Sequence, residues 1–553
     1  MQATNDRVFI GVDVGTGSAR AGLFDMRGRL LGTARHPIHT WYLPGEMVEQ
    51  SSQDIWTACV RAITQAVAEA GITPERVAGI GFDATCSLVA LDEHAQSVTI
   101  SPTGDAQRNV IVWMDHRATA EAAQINATGD DVLRYVGGQI SPEMETPKLL
   151  WLKRHLPDSY ARAAHFFDLA DYLTFRATGS TARSLCTVTC KWTYVRHAGG
   201  WSRGYFERIG LPELLDDDAV RIGRDVVAPG TALGSGLCED AARELELRPG
   251  IAVGASLIDA HAGAVGTVSS PDAAGRPVPP TARLAYILGT SACVMATTTA
   301  PRFTPGVWGP YDSAMVEGLW LNEGGQSAAG VAIDTLVRSH PGYAQASAEA
   351  LAAGTDVLRW LENRILARTP DPSQAARLAH GLHVLPDYLG NRSPDADPAA
   401  RAVIAGLTID HDLKGLEALF VAGLCGLGYG LADIIDALRA QGVDFDTVIM
   451  SGGASQSRLV RQLMADASGV QVQLAATPEP VLLGSAMLGA VACGSFADLP
   501  AAMSAMSGLG ASTAPTSPEI AAFHLAKRRA YQAMQALDRT LRKEMAGVPA
   551  DTP

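Results

Sequence analysis

No Gly-Lys pair occurs anywhere in the 553 residues. The chain therefore has no Walker A loop, whose lysine must follow a glycine. No CxxC pair occurs either. The eight cysteines are scattered, and the nearest two, Cys186 and Cys190, stand four apart. That spacing argues against a zinc site or a disulfide framework and for a reducing compartment. Positive charge is also in short supply: 44 Lys and Arg face 58 Asp and Glu, a net charge of −14 with pI near 5.4. Nucleic acid and anionic membrane surfaces are thereby excluded as main partners. Charged residues make up only 18%, against 47% hydrophobic, which reads as globular rather than disordered. MQATNDRVFI has neither the basic start nor the apolar run of a signal peptide, so a cytoplasmic location is expected. The longest uncharged stretch of interest, between Glu417 and Asp433, is glycine-rich and shorter than the ~20 residues that span a bilayer. It reads as a packed core helix, and no membrane association is expected.

What is present is a repeated grammar. The length implies two large domains or more, at about 100–200 residues each. RVFIGVDVG, SARAGLFDMRG and GRLLGTARHPI read as three strands. DIWTACVRAITQAVAEAG follows as a helix with Ile55, Cys59, Ile63 and Val67 on one face, and VAGIGFDATCSLVALD returns to strand with a break at Asp83–Cys86. The second half repeats this. RLAYILGTSACVMATTT is strand, GTS turn, strand; a long helix spans 415–440; then come strand, glycine turn, helix and strand over 446–474. PVLLGSAMLGAVACG reads as a helix with small residues every few positions. The Pro/Gly-rich SSPDAAGRPVPPTAR marks a surface loop at a domain junction. The basic C-terminal FHLAKRRAYQAMQALDRTLRKEM reads as a packed surface helix.

Three glycine turns could carry chemistry. In GVDVGTGSARAGLFD, Gly15 and Gly17 can take positive φ and curl the backbone into a nest of N–H groups. Thr16 and Ser18 hydroxyls and Arg20 add donors suited to phosphate oxygens. Alone, a strand-GTG-strand turn reads equally as a plain hairpin. A second hairpin, Gly289-Thr290-Ser291, could clamp a phosphate chain from the other side. A third turn, Ser451-Gly452-Gly453-Ala454, lets backbone approach a flat ring or a ribose. This order suggests a nucleotide bound between duplicated domains, the actin-like ATPase arrangement. Asp259, ending the apolar run of GASLIDAHAGAVG, is either a helix N-cap or a general base for phosphoryl transfer beside a magnesium ion. Asp13 is the second acid near that metal. VIVWMDHRA packs Trp113, Asp115 and Arg117 together. An Asp/Arg pair reads as a salt bridge, and a Trp beside paired polar groups also suits a polyol.

In this order the motifs resemble the FGGY family of carbohydrate kinases, and within it the ribulokinases. The resemblance runs from GVDVGTGSARAGLFD to PVLLGSAMLGAVACG. It is carried by GFDATCSLVALD, NVIVWMDHRA, CKWTY, GASLIDAHAGAVG, PGVWGPYDSAM, LWLNEGGQSAAG, LPDYLGNRSPDADP and SGGASQS. It implies an α/β fold of two ribonuclease-H-like domains with the active site in the cleft between them. The sugar-binding domain would span 1–267 and the nucleotide-binding domain 283–553, with 268–282 as the junction. Asp259 falls at the family's catalytic base. Gly15, Thr16, Gly17, Ser18 and Arg20 would line the phosphates, with Gly289 and Thr290 opposite. Gly453, Ala454 and Ser457 would lie at the adenosine, with Gly325 and Gln326 nearby. Thr85 and Cys86 replace the Arg and Glu of glycerol kinases, which argues against glycerol. Asp115, Lys191 and Glu323 fall where ribulokinases contact the ketose. In ETPKLLWLK, Glu145 stands where the family has a small residue, read as drift away from the site.

The expectation is an ATP- and magnesium-dependent kinase acting on the terminal hydroxyl of a pentulose, with D-ribulose first and ribitol or L-ribulose as alternatives. A nucleotide-gated, non-catalytic actin-like protein is the reading from another class. It accounts for the turns but leaves the sugar cluster unexplained. A homodimer is a family-level expectation.

Overall fold

The protein was analysed as a computed structural model, which describes residues 7–546. The first six residues of MQATNDRVFI and the last seven of the chain lie outside that range. In the first half, β1 (Val8–Gly15), β2 (Ser18–Asp25) and β3 (Leu30–Pro37) form an antiparallel meander. Helix α1 (Ser52–Ala70) crosses over, and β4 (Val77–Ala84) returns parallel to β1. After α2 (Leu185–Lys191), the short strands β5 (Ala252–Val253) and β6 (Leu257–Ile258) extend the sheet beyond β4, and α3 (Asp259–Val265) follows directly. β1 is buried along seven of its eight residues, as a strand covered on both faces should be. α1 supplies one cover through Ile55, Cys59 and Ile63, while Val67 is only half-buried. Ser51 caps its start and Gly71, at φ 61°, ends it.

The second half repeats the plan. β7 (Arg283–Leu288), β8 (Ala292–Thr298), β9 (Trp308–Asp312) and β10 (Trp320–Gln326) precede β11 (Thr447–Ser451), β12 (Gln471–Ala475) and β13 (Leu509–Thr513). The sheet order is β9-β10-β8-β7-β11-β12-β13, with β7 and β11 parallel. Helix α4 (Leu413–Ala440) precedes β11, and α5 (Arg458–Ser468) joins β11 to β12. α4 is apolar and long enough to cross a bilayer, but 94% of its most apolar window is buried inside the protein, as a core helix would be. These are the two ribonuclease-H-like domains, each a meander followed by a parallel strand.

One helix crosses between them. α6 (Pro480–Ala492) comes from the second half of the chain yet packs on β1 and β4 of the first sheet. Glycines permit this. A Cβ at Gly81 would fall inside the Ser485 carbonyl, one at Gly79 inside that of Gly489, and one at Gly11 inside that of Leu482. Gly484 of the helix meets α3 at the Ala262 carbonyl in the same way. The small residues of PVLLGSAMLGAVACG thus put helix backbone on sheet backbone. α7 (Pro518–Met545) lies on the second domain and buries Ile520, His524, Lys527, Tyr531 and Met534, as its amphipathic sequence suggests.

The packing gives a paired prediction for urea unfolding. Gly81→Ala should cost about 1–3 kcal/mol or more, because helix and sheet must separate. Gly17→Ala, where an added Cβ meets nothing within 4 Å, should stay within about 0.5 kcal/mol of the wild type. Equal losses would contradict this account of the helix–sheet contact.

Candidate active site

The β1–β2 hairpin turns at Gly15–Ser18, as the sequence suggests, but by a different route. Neither Gly15 nor Gly17 has positive φ. Glycine serves here by leaving space, since an added Cβ finds open room at Gly17 and almost none to strike at Gly15. The matching turn at Gly289 is likewise open and free of positive φ. Only the third turn needs the left-handed region: Gly452 has φ 90° and lies against the Leu288 carbonyl.

Register sets the chemistry. Arg20 on β2 lies opposite Asp13 on β1, and Asp83 on β4 lies beside Asp13 on the other side. Leu257 on β6 pairs with Asp83, so the chain reaches Asp259 two residues past this row. Arg20 Nε donates to Asp13 at 2.7 Å, and its Nη1 donates to Glu479, just before α6, at 2.9 Å. Ser485 on α6 donates to Asp83. Burial, then the Asp13 charge, push the Asp83 carboxyl well above the usual range. The same two causes raise Asp259 to about 6, although the Ala260 N–H donates to it at 2.7 Å. Asp259 is not the N-cap of α3; Ile258 holds that position.

A cavity of about 510 Å³ opens over this row, between the domains. Asp13, the Gly15–Ser18 turn, Arg20 and Asp259 line it from the first domain, and Gly289 and Thr290 from the second. Thr85, Cys86, Trp113, Lys191 and Glu323 line it too, so the sequence-named sugar and phosphate residues share one space. The Trp113 indole N–H donates to the Thr16 hydroxyl at 3.0 Å, tying the two groups together. Lys191 and Glu323 form a buried ion pair at 3.7 Å, and His261 Nε2 faces the same Glu323 carboxylate at 3.3 Å. Burial alone would raise Glu323, but Lys191 and His261 outweigh it and hold the carboxyl at about 2. Burial opposes ionisation of Cys186 and His261, yet the Cys190 hydrogen bond and then the His261 charge lower the thiol to about 5, and Cys186 and then Glu323 raise the imidazole to about 10.

A second cavity, about 750 Å³, is lined by Gly453, Ala454 and Ser457 of the third turn and by Leu358, Phe420 and Leu424. The two cavities share a wall, since Leu288 lines one and its neighbour Gly289 the other. Asp115, Gly325 and Gln326 line neither cavity. Asp115 turns inward, accepting from the Val48 N–H at 2.6 Å and from Arg117 Nε at 2.9 Å, so the Asp/Arg pair is the salt bridge that its spacing suggested. Gly325 is buried in β10 against the Ala292 carbonyl, where a side chain would clash. Gln326 Nε2 donates to the Leu427 carbonyl, and its Oε1 accepts from Tyr286, which satisfies its side chain within the second domain. Glu145 also lies off the cavity, buried 3.4 Å from Lys148.

Sequence reasoning missed several wall residues. Arg35 lies beside Arg20 across the β2–β3 pair and holds Ser18 through Nε at 2.9 Å. Trp308, Glu143 and Arg392 close the sugar side; Arg392 stacks over Trp308 at 5.4 Å and faces Glu143 at 4.0 Å. Trp308 and Arg392 lie within PGVWGPYDSAM and LPDYLGNRSPDADP, so the stretches were visible but the pointing residues were not.

The fold and cleft define a two-domain kinase of the actin-like ATPase class. Residues 8–266 match the FGGY family of carbohydrate kinases, N-terminal domain, and residues 284–493 match its C-terminal domain. The chain belongs to this family and is an ATP-dependent sugar kinase. It is 45% identical over 91% of its length to the human FGGY carbohydrate kinase domain-containing protein, covering 92% of that protein. It is 38% identical over 89% of its length to a D-ribulokinase of Saccharomyces cerevisiae, covering 72% of it. Among solved structures, the xylulose kinase from Rhodospirillum rubrum superposes with TM-score 0.77 at 21% identity, over 97% of this chain and 99% of that one.

Asp115→Asn should expose the inward role of that residue. It leaves buried Arg117 short of its main partner and should cost about 3 kcal/mol in urea unfolding. The KM for sugar in the folded enzyme should stay within about twofold of wild type. A large rise in KM at unchanged stability would return Asp115 to the substrate.

Proposed function

We propose that the enzyme transfers the γ-phosphoryl group of ATP to the terminal hydroxyl of D-ribulose, giving D-ribulose 5-phosphate. The observation that carries this reading is the position of Asp259. It lines a single cavity between the glycine hairpins and the Trp113, Lys191 and Glu323 side. The D-ribulokinase relative supports the choice of sugar.

Lys191 and Glu323 offer a donor and an acceptor to the hydroxyls of the sugar, and Trp113 and Trp308 give it apolar walls. Asp259, ionised at neutral pH, accepts the proton of the attacking hydroxyl as the oxygen bonds to the γ-phosphorus and the bond to ADP breaks. The Gly15–Ser18 and Gly289–Ser291 turns cradle the phosphates from the two domains, and Arg20 and Arg35 add positive charge. Asp13 and Asp259 are hard oxygen donors on the cavity wall, a set that fits magnesium. When bound there, magnesium would neutralise charge on the β- and γ-phosphates. The apolar second cavity beside the third turn takes the adenine.

Asp259→Asn should lower kcat by several orders of magnitude with ATP affinity nearly unchanged, as read by coupled ADP release and nucleotide titration. Near-normal turnover would remove Asp259 from its role. A panel of D-ribulose, L-ribulose, D-xylulose, ribitol and glycerol should give the highest kcat/KM for D-ribulose. A higher value for another sugar would reassign the substrate, and ADP release indifferent to all five would favour a nucleotide-gated protein instead.

A further inference from the structure

Behind the sugar side of the cavity, three side chains that the reaction does not use converge. Cys186 and Cys190 stand four apart on α2, so one helical face carries both thiols. His261 enters from α3, seventy-odd residues later in the chain. Cys186 Sγ and His261 Nδ1 are 2.9 Å apart, and the three donor atoms all lie within 4.8 Å of one another. All three residues are fully buried. The sequence offered a four-residue cysteine spacing and no CxxC, which argued against zinc. The fold supplies the missing third donor.

The surroundings suit a ligand set. A metal-bound imidazole usually gives its other N–H to a carboxylate, which fixes the tautomer and orients the ring. His261 Nε2 faces the Glu323 carboxylate at 3.3 Å. The Ile258 N–H donates to Cys186 Sγ at 3.3 Å, a bond that favours the thiolate needed for coordination. We infer that Cys186, Cys190 and His261 bind one thiophilic cation of the zinc class through two sulfurs and one nitrogen.

Donor chemistry separates this site from the magnesium position. Thiolate and imidazole select zinc or cuprous ions, whereas the carboxylates of Asp13 and Asp259 suit a hard cation. Coordination needs both sulfurs as thiolates and His261 Nδ1 without a proton. From a neutral cluster of two thiols and one imidazole, a divalent ion displaces two protons as it binds. Two positive charges enter and two leave, so the net charge of the buried cluster is unchanged. The site adjoins the substrate wall: Lys191 follows Cys190 in sequence, and Glu323 bonds His261. A bound ion would therefore fix the carboxylate that faces the sugar.

The test uses the full chain, stripped with a chelator and titrated with Cd²⁺. The thiolate-to-cadmium charge-transfer absorbance should saturate at one equivalent and be competed away by Zn²⁺. Cys190→Ser should weaken binding at least tenfold, while Cys59→Ser, on α1, should leave it unchanged. Glu323→Gln, which keeps all three donors, should weaken it about 10–100-fold. If Cys190→Ser folds poorly, X-ray absorption of the zinc-loaded wild type decides. Two sulfurs at about 2.3 Å with a nitrogen at about 2.0–2.1 Å support the site. A shell of nitrogen and oxygen alone overturns it, as does an undiminished band in Cys190→Ser or no saturable band in the wild type. None of these readings depends on sugar identity or kinase turnover.

Discussion

The crowding of three carboxylates at the ends of neighbouring strands governs the rest of this molecule. Asp13 and Asp83 lie buried on adjacent strands, and Asp259, half-buried, lies just past them. Like charges so placed repel strongly in a medium of low dielectric. The structure answers each in a different way. Asp83, its carboxyl pushed well up by burial and then by the Asp13 charge, accepts from Ser485. Asp13 takes Arg20 as its fixed countercharge. Asp259 stays on the cavity wall with one backbone N–H and is left responsive. On the proposed reading, it is the last that exchanges a proton with the substrate.

That division of labour requires α6. The helix supplies Ser485 to Asp83, and Glu479 before it holds the far side of Arg20. Both contacts need backbone-to-backbone approach, which is why the glycines of β1 and β4 lie under it. Packing and electrostatics are therefore one constraint. A side chain added beneath the helix moves the counterion of the acid row, and so reaches the phosphate turn through Arg20. The second domain makes its own claim on the site through Glu323, whose buried pair with Lys191 spans the cleft. Pairs of this kind contribute little net stability but penalise every arrangement in which one partner is left alone. The cleft is thereby held to one register.

Local pattern revealed what local physics determines. The hairpins, α1 and the third glycine turn follow from strand and helix periods and from turn composition. Pairing over long distances did not show. Nothing in VIVWMDHRA says that Val48 and Glu49 wait to receive Asp115 and Arg117. Gln326 is a similar case: the Leu427 carbonyl that its amide meets is about a hundred residues away. The glycines of the first turn do not take the positive φ that their sequence suggested. The helix PVLLGSAMLGAVACG showed its small residues plainly. Which sheet they serve depends on a chain path that no sequence window contains.

The sugar side poses a narrower physical problem. Lys191 and Glu323 satisfy each other in the absence of substrate, so a ligand must improve on an existing pair. A hydroxyl can do this, because it accepts from an ammonium and donates to a carboxylate at once. A deoxy position cannot, and it leaves both buried charges short of a partner, a loss of the size that separates good substrates from poor ones. Thr85 and Cys86 sharpen the demand. Burial pushes the Cys86 thiol up and keeps it neutral, so it adds wall rather than charge. On the proposed reading, recognition falls on the hydroxyls that meet Lys191 and Glu323, and on the flat contacts of Trp113 and Trp308. Stereochemistry at those hydroxyls would then decide whether the terminal oxygen reaches Asp259.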